Sequence, residues 1–309
     1  MKKNNQANAL KISKLGFGAW PLGNTSKGKT MSEEEGIELV QAAYEKGITV
    51  FDTAPNYAYG RSETILGKAL KAFRENVYIN TKFGHHPDGT LDFDEEKIYE
   101  SVNGSLNRLQ TSYLDSVILH NPPNEVLEGK TKHFTYLNDL KSKAIVHRIG
   151  VSIDTLDELN KTLKHLDVDV IELYFNVFAQ STRHMLKEVQ ANHIMLIIKV
   201  PLDSGWLSGK YHSTMTFDDI RLRWSETDKK RRHDLVKKLK TMVDDDYLVP
   251  YALGFIWSYE AVNTVIPGIR NKEQLNEHLK ASEFSLNKSL KTKLENFYDQ
   301  HLANTPLPW

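Results

Sequence analysis

The 309-residue sequence contains no cysteine. Disulfide bridges, thiolate metal sites and thiol nucleophiles are therefore excluded. An enzyme built on this chain must work with carboxylate, imidazole, amine or hydroxyl side chains, or with a bound cofactor. The absence of disulfides is also typical of cytoplasmic proteins, so we expect this chain in the cytoplasm.

The chain also has no excess charge and no long apolar segment. Forty Lys and Arg residues balance forty Asp and Glu residues. A neutral balance argues against nucleic acid or an anionic membrane as the main partner. No run approaches the ~18 apolar residues of a membrane span. The charged start at residues 1–6 leads into no apolar signal segment.

Short apolar runs rich in β-branched residues alternate with amphipathic helical patterns along the chain. Eight strand-then-helix repeats are typical of a closed parallel barrel, so we predict one (β/α)8 TIM-barrel domain over residues 1–309. A long irregular stretch from Asp203 to about Thr227 follows the seventh strand, and Leu290, Leu294 and Phe297 mark an extra C-terminal helix. The predicted strands cover residues 15–17, 49–51, 77–80, 117–119, 149–151, 168–173, 194–200 and 264–266.

Several helix ends can be read directly. Ser32 and Glu35 have the spacing of a capping box, and Gly47 is suited to end the same helix. Asn271 opens a later helix, where Gln274 stands at the position of its capping partner. We expect the basic run at 229–232, together with Arg221 and Arg223, to form a solvated helix face and loop.

Four chemically active side chains follow consecutive predicted strands. In a TIM barrel, catalytic residues lie at the carboxyl ends of the strands. Asp52 and Tyr57 follow the second strand, Lys82 the third and His120 the fourth. A cation beside a phenol favours its ionised form and eases proton release, and Asp52 would hold Lys82 charged. This set suits protonation of a carbonyl oxygen, with His120 orienting that oxygen.

No side chain can supply the hydride that such a reaction needs, so a nicotinamide cofactor is expected. The glycines at 16–23 and 205–211 match neither the dinucleotide fingerprint G-x-G-x-x-G nor the phosphate loop G-x-x-x-x-G-K-[ST]. A helix N-terminus also favours phosphate. The helix beginning at Asn271, with Arg270 directly before it, is therefore a candidate phosphate site.

These segments resemble those of the aldo-keto reductases, in the same order. FDTAPNY at 51–57, followed by G-x-S-E at 60–63, is similar to the family's Asp–Tyr segment, and TKFG at 81–84 to its Lys strand. The stretch 105–120 resembles the segment that ends in the catalytic His. Later landmarks lie at 149–152, 201–211 and 266–271, and the resemblance covers roughly residues 10–282. It implies an NAD(P)H-dependent reductase of aldehydes or ketones on a (β/α)8 barrel.

The resemblance also implies roles for individual residues. Tyr57 would be the general acid, Lys82 and Asp52 its tuning pair, and His120 the orienting donor. NADPH is expected, with NADH possible, because a guanidinium such as that of Arg270 binds a 2′-phosphate well. The residues expected at the substrate are Trp20, Tyr57, Tyr59, His120 and Asn121, with the 306–309 tail as a further wall. The residues expected at the cofactor are Ser152, Glu172, Asn176, Pro201, Leu202, Ser204, Trp206, Ser208, Lys210, Gly268, Arg270, Gln274 and His278.

Four residues depart from the family pattern in the cofactor region. Ile153 replaces a frequent Asn, Glu172 a Gln, and His278 an adenine-binding Asn. Lys199 stands where an aromatic side chain often lies under the nicotinamide. The four catalytic positions are intact.

Other interpretations stay open at this point. These departures favour a second hypothesis, a regulatory or redox-sensing barrel that binds the cofactor and turns over little. The adjacent His85 and His86 raise a third, a metal-dependent barrel hydrolase, although no His-Glu-x-x-His or Asp-rich loop supports it and we expect no metal. Helix capping with Asn271 is enough to explain Gln274 without a ligand. Substrate identity, reaction direction and the choice between monomer and small homo-oligomer are left open.

Overall fold

The fold is an eight-stranded parallel barrel, described here from a computed structural model that covers residues 10–26 and 29–308. Parallel pairing runs in chain order through all eight strands, and bridges from Leu15 to Val265 and from Gly18 to Gly268 bring the last strand beside the first. The predicted fold class is confirmed. The barrel strands are β1 Phe17–Gly18, β2 Val50–Asp52, β3 Tyr78–Phe83, β4 Leu114–His120, β5 Val146–Ile153, β6 Val170–Tyr174, β7 Met195–Lys199 and β8 Thr264–Val265, and a separate antiparallel pair joins Thr25–Ser26 to Lys29–Thr30.

Helices surround the barrel between successive strands. They are α1 Glu33–Glu45, α2 Arg61–Leu70, α3 Ile98–Leu109, α4 Asn124–Leu127, α5 His133–Ser142, α6 Leu156–His165, α7 Leu186–Ala191, α8 Glu226–Val243, α9 Val249–Trp257, α10 Lys272–Ser282 and α11 Lys288–His301. The predicted long stretch after the seventh strand contains short 3-10 turns and leads into α8. The predicted C-terminal helix is α11. Among the described residues, no helix has both the length and the apolar content needed to cross a membrane.

The predicted helix ends agree with the local bonding. Ser32 and Glu35 form a reciprocal capping box at the start of α1. Gly47 follows α1 with a φ of 90°, a left-handed conformation that suits glycine. Asn271 caps α10 through a bond from the Gln274 backbone N–H to its side-chain oxygen, 2.8 Å long.

Several strands extend beyond the predicted apolar runs. β3 continues through Lys82 to Phe83, and β4 ends on His120. Their polar side chains bond to one another inside the barrel, as when the Asn80 amide donates to Asp52 at 2.7 Å. Hydropathy alone misses these positions because the interior of the barrel is polar at its carboxyl end.

The opposite end of the barrel interior is apolar. Apolar side chains inside the barrel, four of which begin their strands, form one buried cluster, and Leu10 and Ile12 pack against it. The polar interior therefore opens only toward the carboxyl ends of the strands, within the described part of the chain. The members of this cluster are Val50, Tyr78, Ile118, Val170, Met195, Ile197 and Ile266.

The basic run on α8 is not fully solvated, and this prediction was wrong. Lys229 and Arg232 are buried. The Arg232 guanidinium lies 3.1 Å from Asp203, 4.4 Å from the centre of the Trp224 ring, and donates to the Pro308 carbonyl at 2.6 Å. A buried carboxylate such as Asp203 requires a buried cation, which is why Arg232 turns inward.

Candidate active site

A cavity of about 490 Å³ lies at the carboxyl ends of the strands. It joins two groups of residues. One group follows β2, β3 and β4 and includes Tyr57 and His120, whereas the other surrounds β7, β8 and the start of α10 and includes Arg270 and His278. A cavity that joins a polar centre to a helix N-terminus can hold an extended ligand along its length.

Lys82 is the centre of the first group. Its Nζ donates to Asp52 Oδ1 at 2.6 Å and to the Thr53 carbonyl at 2.9 Å, and lies 3.2 Å from Glu172 Oε2. The same Nζ is 5.3 Å from the centre of the Tyr57 ring. The structure therefore places the expected ion pair directly beside the phenol.

The buried carboxyl groups at this centre are unequal. Burial raises the pKa of Asp52 to about 8, and the neighbouring Glu172 adds to the rise while Lys82 opposes it. Burial also acts to raise the pKa of Glu172, but Lys82 and Lys199 outweigh it and the pKa is lowered. Burial acts to lower the pKa of Lys82, yet the adjacent Asp52 and Glu172 leave it raised, so the amine stays charged.

The pKa of the Tyr57 phenol is raised in the protein without cofactor. Burial is the largest cause, Lys82 acts in the opposite direction, and Asp52 and Glu172 add to the rise. Lys82 does act to lower this pKa, as expected, but burial outweighs the cation and the net shift is upward. The phenol is fully protonated at neutral pH, as a proton donor must be before reaction.

His120 presents its imidazole beside Tyr57. The centres of the Tyr57 and His120 rings are 6.2 Å apart, and the two rings are nearly perpendicular. The His85 ring stacks on the His120 ring, with their centres 4.3 Å apart. Burial, with Lys82 nearby, holds the pKa of His120 well below its ordinary value, so the ring is neutral. Its buried Nδ1 has no partner among the described residues. A neutral imidazole can donate a hydrogen bond to a ligand oxygen without carrying charge.

Lys199 links this centre to the rest of the cavity. Its Nζ lies 2.8 Å from Asp154 Oδ1 and donates to Ser152 Oγ at 2.7 Å and to Asn121 Oδ1 at 3.0 Å. Ser152 in turn donates to Glu172 at 3.1 Å. The departures from the family pattern at Lys199 and Glu172 therefore belong to one continuous polar network.

The second group lies around the start of α10. The Arg270 backbone N–H donates to Gln274 Oε1 at 2.9 Å, so this side chain closes the turn before the helix. His278 lines the cavity and is only 3% exposed, and its Nδ1 has no partner among the described residues. Burial lowers the pKa of His278 to about 4, which leaves a neutral ring.

Comparison with known proteins decides the family. A family model described as the aldo/keto reductase family matches residues 14–299, most of the chain. This chain belongs to the aldo/keto reductase family. The predicted family is confirmed, and with it the coarse activity of an oxidoreductase that acts on carbonyl compounds.

Individual relatives match this aldo/keto reductase over most of its length. Aldo-keto reductase YhdN of Bacillus subtilis is 29% identical over 305 residues, covering 93% of this chain and 91% of the relative. The NADH-specific methylglyoxal reductase of Escherichia coli is 29% identical over 219 residues, covering 65% of this chain and 67% of the relative. A probable voltage-gated potassium channel subunit beta of Arabidopsis thaliana is 28% identical over 305 residues and covers 90% of each chain.

A solved structure supports the fold of this aldo/keto reductase independently. The holo form of aldo-keto reductase AKR11C1 from Bacillus halodurans superposes with a TM-score of 0.78. The two chains are 24% identical, and the match covers 94% of this chain and 95% of the other.

Most of the predicted site residues of this aldo/keto reductase line the cavity. Asp52, Tyr57 and His120 do so with Trp20 and Asn121, and Lys82 lies directly behind Asp52. Of the residues expected at the cofactor, those that line the cavity are Glu172, Pro201, Leu202, Ser204, Ser208, Lys210, Gly268, Arg270, Gln274 and His278.

Some predicted residues lie elsewhere. Tyr59 is 79% exposed and does not line the cavity, because left-handed φ angles at Ala58 and Tyr59 turn this residue outward. Trp206 is fully buried against Trp224 and other aromatic rings. The described part of the tail, 306–308, also does not line the cavity, since Pro308 lies against Arg232. Residues 1–6 and Trp309 lie outside the described residues.

Two further predicted cofactor residues act behind the cavity wall. The Asn176 amide donates to the Val200 carbonyl at 3.0 Å, and its oxygen accepts the Phe178 N–H at 2.8 Å. One end of this side chain therefore holds the loop after β7, and the other holds its own loop after β6. Ser152 lies between Glu172 and Lys199, to which its hydroxyl is bonded, and it is not part of the cavity lining.

Sequence reasoning missed several residues that line the cavity. Arg221 and Arg223 both line the cavity. The prediction that they are solvated is wrong for Arg221, which is half-buried, whereas Arg223 is exposed. Their place in an unusually long loop was the available signal. His85 was considered only as a metal ligand, yet it stacks on His120 while His86 contacts the Asp92 carbonyl at 3.2 Å. Among the described residues, no group of three or more His, Asp or Glu side chains could hold a metal ion.

Proposed function

We propose that this protein reduces an aldehyde or ketone to an alcohol with a nicotinamide cofactor, or catalyses the reverse reaction, with Tyr57 as the proton donor. The observation that carries this proposal is the buried Lys82, which lies between Asp52 and Glu172 and 5.3 Å from the Tyr57 ring, at one end of the cavity. A bound nicotinamide would supply the hydride that adds to the carbonyl carbon.

The residues at the other end of the cavity fit such a cofactor. The buried Nδ1 of His278 has no protein partner among the described residues and borders the cavity, so it is available to a ligand. Arg270 offers a cation next to the N-terminus of α10, where a phosphate is favoured. Ser208 and Lys210 also line the cavity, and Lys210 pairs with Glu277 of α10 at 2.9 Å. On Arg270 we propose NADPH as the cofactor, with NADH as the alternative.

Tyr57 provides the proton. Its raised pKa keeps the phenol protonated until a carbonyl oxygen gains negative charge. Tyr57 would give its phenolic proton to the carbonyl oxygen, which would leave an alcohol and a Tyr57 phenolate. The Lys82 ammonium then stabilises the phenolate electrostatically.

Asp52 and Glu172 position Lys82 rather than contact the substrate. Together they hold the ammonium charged and aimed, and Asn80 donates to both carboxyl groups at 2.7 and 3.2 Å. We assign to the neutral His120 a hydrogen bond to the substrate oxygen, which orients the carbonyl group. Trp20 and Asn121 complete the wall around that position.

A second function, cofactor binding with little turnover, is favoured by one observation. The relative from Arabidopsis thaliana that is 28% identical is named as a potassium channel subunit rather than as a reductase. A regulatory role would require the cavity to hold the nucleotide without sustained catalysis. The intact group of Tyr57, Lys82 and Asp52 favours the reductase. The cytoplasmic location and the state as a monomer or small homo-oligomer stay predictions.

The decisive measurement is the decay of NADPH absorbance with a panel of small aldehydes, ketones and aldoses. Y57F should lower kcat/KM by about 10³-fold or more while the dissociation constant for NADPH stays within about twofold, because the phenol acts in the transition state. Y44F, on α1 outside the cavity lining, is the matched control. Unchanged turnover in Y57F would contradict the proposed role. A protein that binds NADPH but turns over none of the panel would favour the regulatory function.

A further inference from the structure

A buried carboxylate pairs with the guanidinium groups at the cationic end of the cavity. Arg270 and Arg221 both line this end, and both contact Asp219. Arg221 Nε donates to Asp219 Oδ1 at 2.7 Å, and its Nη2 contacts Oδ2. Arg270 Nη2 lies 3.5 Å from the same Oδ2. The Asp219 side chain is only 6% exposed. The two guanidinium groups thus share one anion that comes from the chain itself.

This arrangement is built into the loop after β7. Asp219 caps the 3-10 turn Ile220–Arg223 by accepting the Arg221 backbone N–H at 3.1 Å. Burial acts to raise the pKa of Asp219, but its bonds to Arg221 and the charge of Arg270 outweigh it, so the pKa is lowered and the carboxylate is ionised. Arg221 is fixed further by the Tyr211 hydroxyl and by the Phe217 ring, whose centre is 4.9 Å away.

We propose that Asp219 sets the nucleotide preference by competing with the 2′-phosphate of NADPH, and that Arg221 is a second phosphate-binding residue beside Arg270. This inference rests on the proposed function, which places the adenosine end of the cofactor at α10. A phosphate needs the guanidinium donors that Asp219 now uses, and it is repelled by the carboxylate charge. A ribose 2′-hydroxyl meets no such repulsion and can donate to the carboxylate.

Direct binding of adenosine fragments tests this proposal without turnover. Isothermal titration would compare 2′,5′-ADP with 5′-AMP, and NADPH with NADH. D219N keeps an oxygen that can cap the Arg221 N–H but removes the charge. We expect it to raise the affinity ratio of 2′,5′-ADP to 5′-AMP about tenfold, the size of one charge-assisted hydrogen bond. R221Q should lower the affinity for 2′,5′-ADP about tenfold and change that for 5′-AMP by less than about twofold.

D299N is the matched control for the change in net charge. Asp299 pairs with Arg183 at 2.7 Å, and neither residue lines the cavity. This variant should leave the affinity ratio unchanged, and thermal melting should show that all three variants fold.

The outcomes separate the inference from the proposed function. If D219N leaves the affinity ratio of 2′,5′-ADP to 5′-AMP unchanged or lowers it, the proposed role of Asp219 is wrong. If R221Q lowers the affinity for both fragments equally, the proposed role of Arg221 is wrong. In either case the wild-type protein still binds nucleotide. If it binds none of the four ligands, the proposed function fails and the inference fails with it.

Discussion

The two ends of the cavity differ in how their charged groups are satisfied. At the proposed catalytic end, Lys82 is held between Asp52 and Glu172 at 2.6 and 3.2 Å, and these groups are buried. At the proposed nucleotide end, Arg270 is paired at 3.5 Å with Asp219, a residue of a loop, and Nδ1 of the buried His278 has no partner in the described part of the chain. Proton transfer benefits from a fixed arrangement of charges. A site that binds a ligand must instead replace hydrogen bonds and ion pairs within the protein by those to the ligand.

The largest effect that follows from this comparison is expected at Lys82. K82M should lower kcat/KM by several orders of magnitude and reduce the free energy of unfolding by about 3–5 kcal/mol, because the buried Glu172 carboxylate loses its cation and Asp52 loses a hydrogen-bond donor. Chemical denaturation and steady-state kinetics measure the two effects. K143M is the control, since Lys143 pairs with Asp139 in an exposed position and should change stability by less than about 1 kcal/mol. Equal losses of stability in K82M and K143M would show that the buried charges around Lys82 contribute no more to stability than an exposed ion pair does.

The two ends should also respond to pH with opposite signs. Folded Asp52, with a pKa of about 8 rather than the ordinary 3.8, keeps a proton that the unfolded chain has lost, so its contribution to stability falls as pH rises from about 4 to 8. Folded His278, with a pKa of about 4 rather than 6.5, stays neutral where the unfolded chain takes up a proton. Its contribution therefore falls as pH drops from 6.5 toward 4.

Denaturation at pH values across these windows (about 4 to 8) measures both slopes. D52N should remove the fall in stability toward high pH. Glu172 and Lys82 remain the charged groups next to this position. H278N should remove about 3 kcal/mol of acid sensitivity between pH 6.5 and 4, where Glu277 and Lys210 are the neighbouring charges. Parallel pH profiles for either variant and the wild-type protein would contradict the corresponding pKa shift.

The smallest of these effects is expected at His85. H85A removes the ring that stacks on His120 at 4.3 Å, and kcat/KM should fall about tenfold because the imidazole is no longer held in one orientation. H85F keeps an aromatic ring and should recover most of the activity. H86A is the control, since His86 contacts the Asp92 carbonyl and does not line the cavity. A positioning role predicts a change mainly in kcat, so a change in KM alone would count against it.

The order of segments along the sequence predicts most of the fold and most of the candidate site. Eight apolar runs identify the eight barrel strands, and the rule that active sites lie at the carboxyl ends of barrel strands places Asp52, Lys82 and His120 at one end. The exact ends of β3 and β4 were missed because their polar residues are satisfied inside the barrel, by partners that lie more than 25 positions away in sequence, as Asn80 and Asp52 show.

Dependence on partners that are distant in sequence also explains the residues whose predicted positions were wrong. Whether Arg232 is solvated depends on Asp203, 29 positions earlier, and no local pattern records that pairing. Tyr59 follows Tyr57 closely, but two left-handed φ angles send the second tyrosine to the surface. Local patterns indicate which residues can do chemistry, whereas the packing of distant segments decides which of them reach the cavity.

The apolar cluster inside the barrel has a consequence for the timing of the proposed reaction. With Leu10 and Ile12 packed against it, the described part of the barrel admits solvent to Tyr57 only through the cavity at the carboxyl ends of the strands. Each proton that Tyr57 gives up must then be restored from bulk water through the passage by which the alcohol departs. Regeneration of the acid and escape of the product share a single route, so a bulky product would delay both.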